Sequence, residues 1–289
     1  MTGSDISSGG DCVVTVALLL VSVIAVCGAA VYLYVHLAKR RRRRAWAEAR
    51  CVVVHCPSPG ALTPSISPFV LKLLTFLRLA KIPYQLDHFE PLGESWLTPW
   101  VTMEDGEEVA DSSVVVLELR QRRNLNLGSS LSAVEQAVAR AFTVLVEDHL
   151  CWCLREWRIK MDGGRNLFEG ARNPPSWYMR AGLRVYAWLR TNTLWHQGVG
   201  RLPHLEVRKF AWRDLQALSD YLDEKSYLLG EEMNEVDCTV FAQMANILYN
   251  YKRSPYHAML TDEFPNLVSY VKRIKERLWP DWDACLASS

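Results

Sequence analysis

Pro64-Ser65-Ile66-Ser67-Pro68-Phe69-Val70-Leu71-Lys72 is the stretch on which the fold turns. It reads as a loop closing into a helix. Ser67 suits the N-cap, because its hydroxyl can accept a hydrogen bond from an orphan backbone N–H of the first turn. Pro68 follows at the first helical position, where its missing N–H goes unused. Phe69, Val70, Leu73, Phe76, Leu77 and Ala80 recur at three- and four-residue spacing and predict one buried face, with Lys72, Thr75 and Arg78 outside it. Pro83 predicts the end of the helix, with Lys81 near its C-terminus. Just upstream, Cys51-Val52-Val53-Val54-His55 predicts a short buried strand. Strand, loop and helix N-terminus in that order bring free N–H groups and the positive end of the dipole to a point where a thiolate or carboxylate is favoured. Capping alone would equally account for Ser67.

Working back from this stretch, Val13 to Val35 is an uncharged run of 23 residues. At 1.5 Å per residue it is about 35 Å long, enough for a hydrocarbon core of about 30 Å. Its apolar character is continuous around the helix, and Tyr32 and Tyr34 sit near one end, where ring hydroxyls suit the interface. Six cations follow at once, Lys39 and Arg40 to Arg44, whereas the residues before the run carry only Asp5 and Asp11. That bias predicts a single-pass anchor with the body in the cytosol and a short N-terminus on the far side. A cleaved signal peptide would want a basic start, a shorter apolar core and no basic block after it. The basic flank is also suited to anionic lipid. The segments are then 1–11 outside, 12–38 in the membrane and 39–50 as a basic juxtamembrane stretch.

Working forward, Tyr84 to Phe89 predicts a second strand. Trp100 to Met103 and Glu107 to Ala110 flank Asp105-Gly106, a hairpin turn signal. Asp111-Ser112 opens a helix over Ser113 to Arg120. The order β-α-β, a connection, then β-β-α makes residues 51–120 a small α/β domain with a mixed sheet. Residues 121–130 are polar and turn-rich, a linker. Residues 131–285 follow a helical period, with helices expected over Leu131–Lys160, Trp177–Trp195, His204–Glu224, Val236–Tyr251 and Pro265–Leu278, and a loop over 162–176. Asn234 to Asp237 is a variant of the capping box.

Composition narrows the function. Beyond residue 44 the chain holds 27 basic and 30 acidic residues, a balanced surface, and no nucleic-acid motif occurs. The eight cysteines are irregularly spaced and include no Cys-x-x-Cys pair, which points to neither a disulfide framework nor a metal site. His55 and His149 read as hydrogen-bonded structural histidines rather than bases.

A thioredoxin-like α/β domain followed by an all-α domain is the layout of the glutathione transferase superfamily. The chain resembles one branch of it, the failed axon connections family, with the metaxins as more distant relatives. The resemblance runs through Ser65 to Lys72, Ile82-Pro83-Tyr84, Thr98-Pro99-Trp100-Val101 and Glu147-Asp148-His149. It continues through Gly198 to Arg201, Tyr227 to Gly230 with Asp237 to Phe241, and Phe264 to Trp282. It implies a cis bond before Pro99, with Thr98 presenting its backbone to the peptide part of glutathione. It also implies Ser112 at the γ-glutamyl carboxylate, Asp111 beside it among the glutathione-binding residues, and Ser67 at the thiol-activating position; helix capping would equally account for Asp111 and Ser112. Ser67-Pro68-Phe69-Val70 is similar in spacing to the glutaredoxin Cys-Pro-Tyr-Cys with both sulfurs replaced, and disulfide exchange needs a thiolate. Val70 stands where family members often carry Cys. Two functions follow. One is a scaffold or adaptor with protein partners or a homodimer, associated with axon development. The other is a glutathione transferase-like enzyme that uses glutathione, Ser67 and an apolar pocket in the helical domain. The poor match around the thiol site leans to the first. The long apolar span leans to the endoplasmic reticulum or plasma membrane rather than the outer mitochondrial membrane, while the resemblance to metaxins leans back to the latter.

Overall fold

A computed structural model describes residues 7–128, 130–168 and 176–287. The first six residues, Ser129 in the expected linker and 169–175 of the expected loop lie outside the described residues. The chain divides into two units. The first is dominated by one helix, α1 (Ser7–Glu48), which runs unbroken through the basic block. Between Val16 and Leu37 the apolar side chains that are described face outward, with Leu18, Ile24, Tyr32 and Tyr34 each more than half exposed, whereas Trp46 near its end is buried. Among the described residues, Val21–Trp46 is the one stretch of helix long and apolar enough to cross a membrane.

The second unit begins with β1 (Val52–His55) and α2 (Pro68–Leu79), then β2 (Tyr84–Asp87), β3 (Trp100–Thr102), β4 (Glu108–Ala110) and α3 (Ser112–Arg122). The sheet order is β2-β1-β3-β4. β1 and β2 are parallel, so they need a crossover, and α2 supplies it. β1 with β3 and β3 with β4 are antiparallel. The tight turn between β3 and β4 puts Gly106 at φ 86°, in the left-handed region, and its N–H donates to Met103 O at 2.9 Å. The fold is thus thioredoxin-like α/β followed by an all-helical part.

That helical part starts with a continuous helical rod: α4 (Ala133–Val144), a π segment at Leu145–Leu150, α5 (Cys151–Glu156) and a second π segment at Trp157–Met161. It continues with α6 (Trp177–Gln197), α7 (His204–Leu222), α8 (Glu235–Ala245), α9 (Pro255–Glu263) and α10 (Pro265–Leu278). The capping box at α8 is present in full. Asn234 accepts from Val236 N–H, while the buried Asp237 accepts from the N–H groups of Asn234 and Leu228, each at 2.9 Å. Tyr270 on α10 donates to the same carboxylate at 2.8 Å, tying the two helices together.

One expectation from the sequence is corrected here. Lys72 and Thr75 do not lie on an outer face of α2: they are 1% and 0% exposed. α2 packs beside α3 and also against α8 and α10 of the helical part, so both its faces are covered. Its apolar stripe is real, but the opposite face has a protein neighbour instead of water.

Candidate functional site

Of the residues expected from the sequence, Asp111 N–H donates to Pro99 O at 3.2 Å, which sets the start of β3 beside the N-terminus of α3, and Lys72, one turn into α2, reaches Ser113 in the first turn of α3. Each residue is positioned by local chemistry. Ser67, half-buried, is the N-cap of α2, and its Oγ accepts from Val70 N–H at 3.5 Å. Its own N–H donates to Ser65 Oγ at 3.2 Å, so the preceding loop is held by two serines in series. Thr98-Pro99 is a cis peptide bond. Asp111 sits at φ 77° and is the N-cap of α3, accepting from Ser113 N–H at 2.8 Å and Val114 N–H at 3.2 Å. Ser112 is the first residue of that helix and is 1% exposed.

Two hydroxyls here stand out. Ser112 Oγ and Thr98 Oγ1 are buried and make no hydrogen bond among the described residues. A buried polar atom without a partner is costly, by about 1–3 kcal/mol. One way to meet that cost is a bound polar group such as a carboxylate. The residues present therefore fit the peptide end of glutathione at Ser112, beside the N-terminus of α3. The sulfur end fits less well. Ser67 offers a hydroxyl, but Val70, one turn on, is apolar and buried.

The strongest electrostatic feature was invisible in the sequence. Lys72, one turn into α2, projects its ammonium to Glu147 Oε1 at 2.7 Å and Ser113 Oγ at 2.8 Å. Ser113 Oγ also donates to Glu147 Oε2 at 3.3 Å, closing a triangle between α2, α3 and the π segment before α5. Its charge is neutralised inside the protein. The spacing of Lys72 on α2 carried no sign of this, because its partner lies 75 residues away. Arg158 is a second such residue, reaching Ile66 O at 3.4 Å beside the Ser67 loop and lying over the Tyr251 ring.

The histidines are held as structural groups. His55 is wholly buried, bonded to Asp87 Oδ2 at 3.2 Å and Thr102 Oγ1 at 2.9 Å, and stacked on Trp100 at 3.7 Å. His149 Nδ1 lies 2.6 Å from Asp214 Oδ2, and burial raises that carboxyl above its usual range. With Cys153 these two form the metal-capable cluster found among the described residues, all donor atoms lying within 4.8 Å of one another. Zinc takes the thiolate, yet burial pushes the Cys153 thiol up to about 12. The direct His149–Asp214 bond already satisfies the other two.

The Glutathione S-transferase N-terminal domain model matches residues 68–162, and the Glutathione S-transferase, C-terminal domain model matches residues 211–274. Failed axon connections of Drosophila melanogaster is 31% identical over 241 residues, 77% of this chain; the chain spans 56% of that relative's length. Isoprene-epoxide–glutathione S-transferase of Rhodococcus is 29% identical over 240 residues, covering 78% of this chain and 98% of that protein. Metaxin-2 of Mus musculus is 21% identical over 218 residues, 73% of this chain and 82% of that one. Among solved structures, a glutathione S-transferase of Ceriporiopsis subvermispora in complex with glutathione superposes with a TM-score of 0.56 at 11% identity, covering 78% of this chain and 97% of that one. A β-etherase of Sphingobium gives 0.55 at 17% identity, covering 80% and 99%. At such identities these two structures share the fold alone.

Proposed function

We propose that this chain, which belongs to the glutathione S-transferase superfamily beside failed axon connections and metaxin-2, holds that fold as a membrane-tethered scaffold rather than as a conjugating enzyme. The observation that carries the reading is the state of the thiol-activating position. A single hydroxyl stands there, Ser67, and it is engaged as the cap of its own helix. Val70 supplies no sulfur, and the nearby cation, Lys72, is neutralised by Glu147. Lowering a thiol pKa needs a donor or positive charge directed at the sulfur, and these groups are directed elsewhere.

The tether belongs to the same proposal. α1 passes through the bilayer, Lys39 to Arg44 stay on the cytosolic side, and the body is cytosolic, at the endoplasmic reticulum or plasma membrane. The fold then serves as a surface for protein partners or a second copy. A role in axon connection, after the name of the Drosophila relative, is part of this proposal.

A second reading, retained glutathione binding, is favoured by the partnerless hydroxyls of Ser112 and Thr98. Retention on immobilised glutathione separates the two. The scaffold reading expects the full chain in detergent to pass through millimolar immobilised glutathione with no free glutathione present, as do Ser67→Ala and Ser112→Ala. Retention of the wild type that is lost in Ser112→Ala would overturn it for binding; loss in Ser67→Ala as well would favour catalysis.

A further inference from the structure

α6 differs from α7, α8 and α10, each of which buries a continuous row of side chains. Among its described side chains only Leu194 is buried. Trp188 is 74% exposed, Trp195 54%, Leu189 57% and Val185 56%. Trp177, which makes contacts of its own, is also largely exposed. At 3.6 residues per turn, positions 177, 188 and 195 fall within about 20° of one line along the helix, with 185 and 189 on one flank of it. A large exposed apolar stripe marks an interaction surface.

Its chemistry indicates the partner. Between Glu169 and Glu206 the sequence carries five arginines and no acidic residue. Three of the chain's eleven tryptophans lie on α6 itself. Tryptophan has an apolar body with a polar N–H, the residue type that sits at the level of lipid headgroups. A tryptophan stripe on a helix that is cationic and free of carboxylates complements an anionic bilayer surface. The chain also brings its own candidate span and its block of six cations, which would raise the local concentration of lipid around the body.

We propose that α6 is an interfacial membrane-binding helix, lying along an anionic leaflet with the Trp188–Trp195 face inserted among the headgroups. This rests on the membrane-tether reading above for its local concentration, while the surface itself rests on α6 alone.

The test uses the full chain reconstituted in vesicles of phosphatidylcholine, with and without phosphatidylserine, and in detergent. Flotation reports the tether, and hydrogen exchange over residues 177–197 reports α6. The expected result is equal flotation with both lipids. Exchange over 177–197 should be about tenfold slower with phosphatidylserine, a protection removed by high salt and by the double variant Trp188→Ser, Leu189→Ser. Both residues are exposed, so the variant should fold normally, as near-UV dichroism would verify. Equal exchange in the two lipids and in detergent, with flotation intact, overturns the α6 proposal and leaves the tether standing. Protection already present in detergent and growing with protein concentration overturns it in favour of a second copy. If flotation fails, the tether reading falls, and the same exchange comparison on chain mixed with preformed vesicles still decides α6.

Discussion

Lys72 is the residue whose environment most shapes the site. It is an ammonium 1% exposed, held by Glu147 and Ser113. Removing one partner of a buried pair leaves the other charge uncompensated, which typically costs about 3–5 kcal/mol. Glu147 keeps some contact with water, so Lys72→Met should lose about 2–4 kcal/mol, measured by chemical denaturation. Adding Glu147→Gln should restore more than half, and a double variant no better than the single would contradict the pairing. A second residue-scale effect lies at Asp281. Arg78 binds its carboxylate through both oxygens and holds it at about 2, below the usual aspartate range. A folded-state value below the unfolded one means that the stabilisation is complete above the ordinary pKa and is lost as pH falls through it towards pH 2. Asp281 is half-exposed, so water and salt screen the pair and its worth is below about 1 kcal/mol. Asp281→Asn should therefore lower stability at neutral pH by up to about 1 kcal/mol and converge with the wild type near pH 2, which flattens the acid limb slightly. An unaltered limb would contradict the pairing. Residue contacts such as these were not legible in the sequence. Lys72 and Glu147, or Arg78 and Asp281, are joined by packing across 75 and 203 residues, and no local spacing encodes that.

Elements were more legible, because caps and turns are local. Ser67-Pro68, Asp105-Gly106 and the Asn234 capping box each predicted the boundary or turn that forms. The helix over Pro255–Glu263 escaped notice although Ser254 caps it by accepting from His257 N–H and Pro255 follows at the first position. Only Phe264 separates α9 from α10, and two abutting helices leave little loop signature between them. The long helix expected over 131–160 forms, but its π segments depend on tertiary packing and have no sequence signature. The cis bond at Thr98-Pro99 was reached through family resemblance, since X-Pro spacing does not specify its isomer. Among elements, the α8 junction gives the sharpest prediction. Asp237→Ala would strand the buried N–H groups of Leu228 and Asn234 and the Tyr270 hydroxyl. At about 1–3 kcal/mol for each stranded group, partly relieved by relaxation, a loss of about 3 kcal/mol is expected. A loss under about 1 kcal/mol by denaturant titration would contradict the junction's role.

At the scale of the whole molecule, two units serve separate ends: one apolar helix with a basic block, and a body with the glutathione S-transferase fold. Under the proposed tether, with Lys39 to Arg44 on the cytosolic face, protease added outside sealed microsomes bearing the full chain should digest the body. Protection of the body until detergent is added would reverse the orientation. Fold class was readable from the alternation of strand and helix signals, whereas function was not, since the same fold hosts conjugation and assembly alike. On the scaffold proposal, the difference is chemical and sits at Ser67 and Val70. The most direct measurement is the initial rate of glutathione addition to an epoxide by the purified full chain, beside Ser67→Ala. The scaffold account predicts a rate equal to the uncatalysed reaction for both proteins; a wild-type rate well above it that collapses in Ser67→Ala would contradict the account.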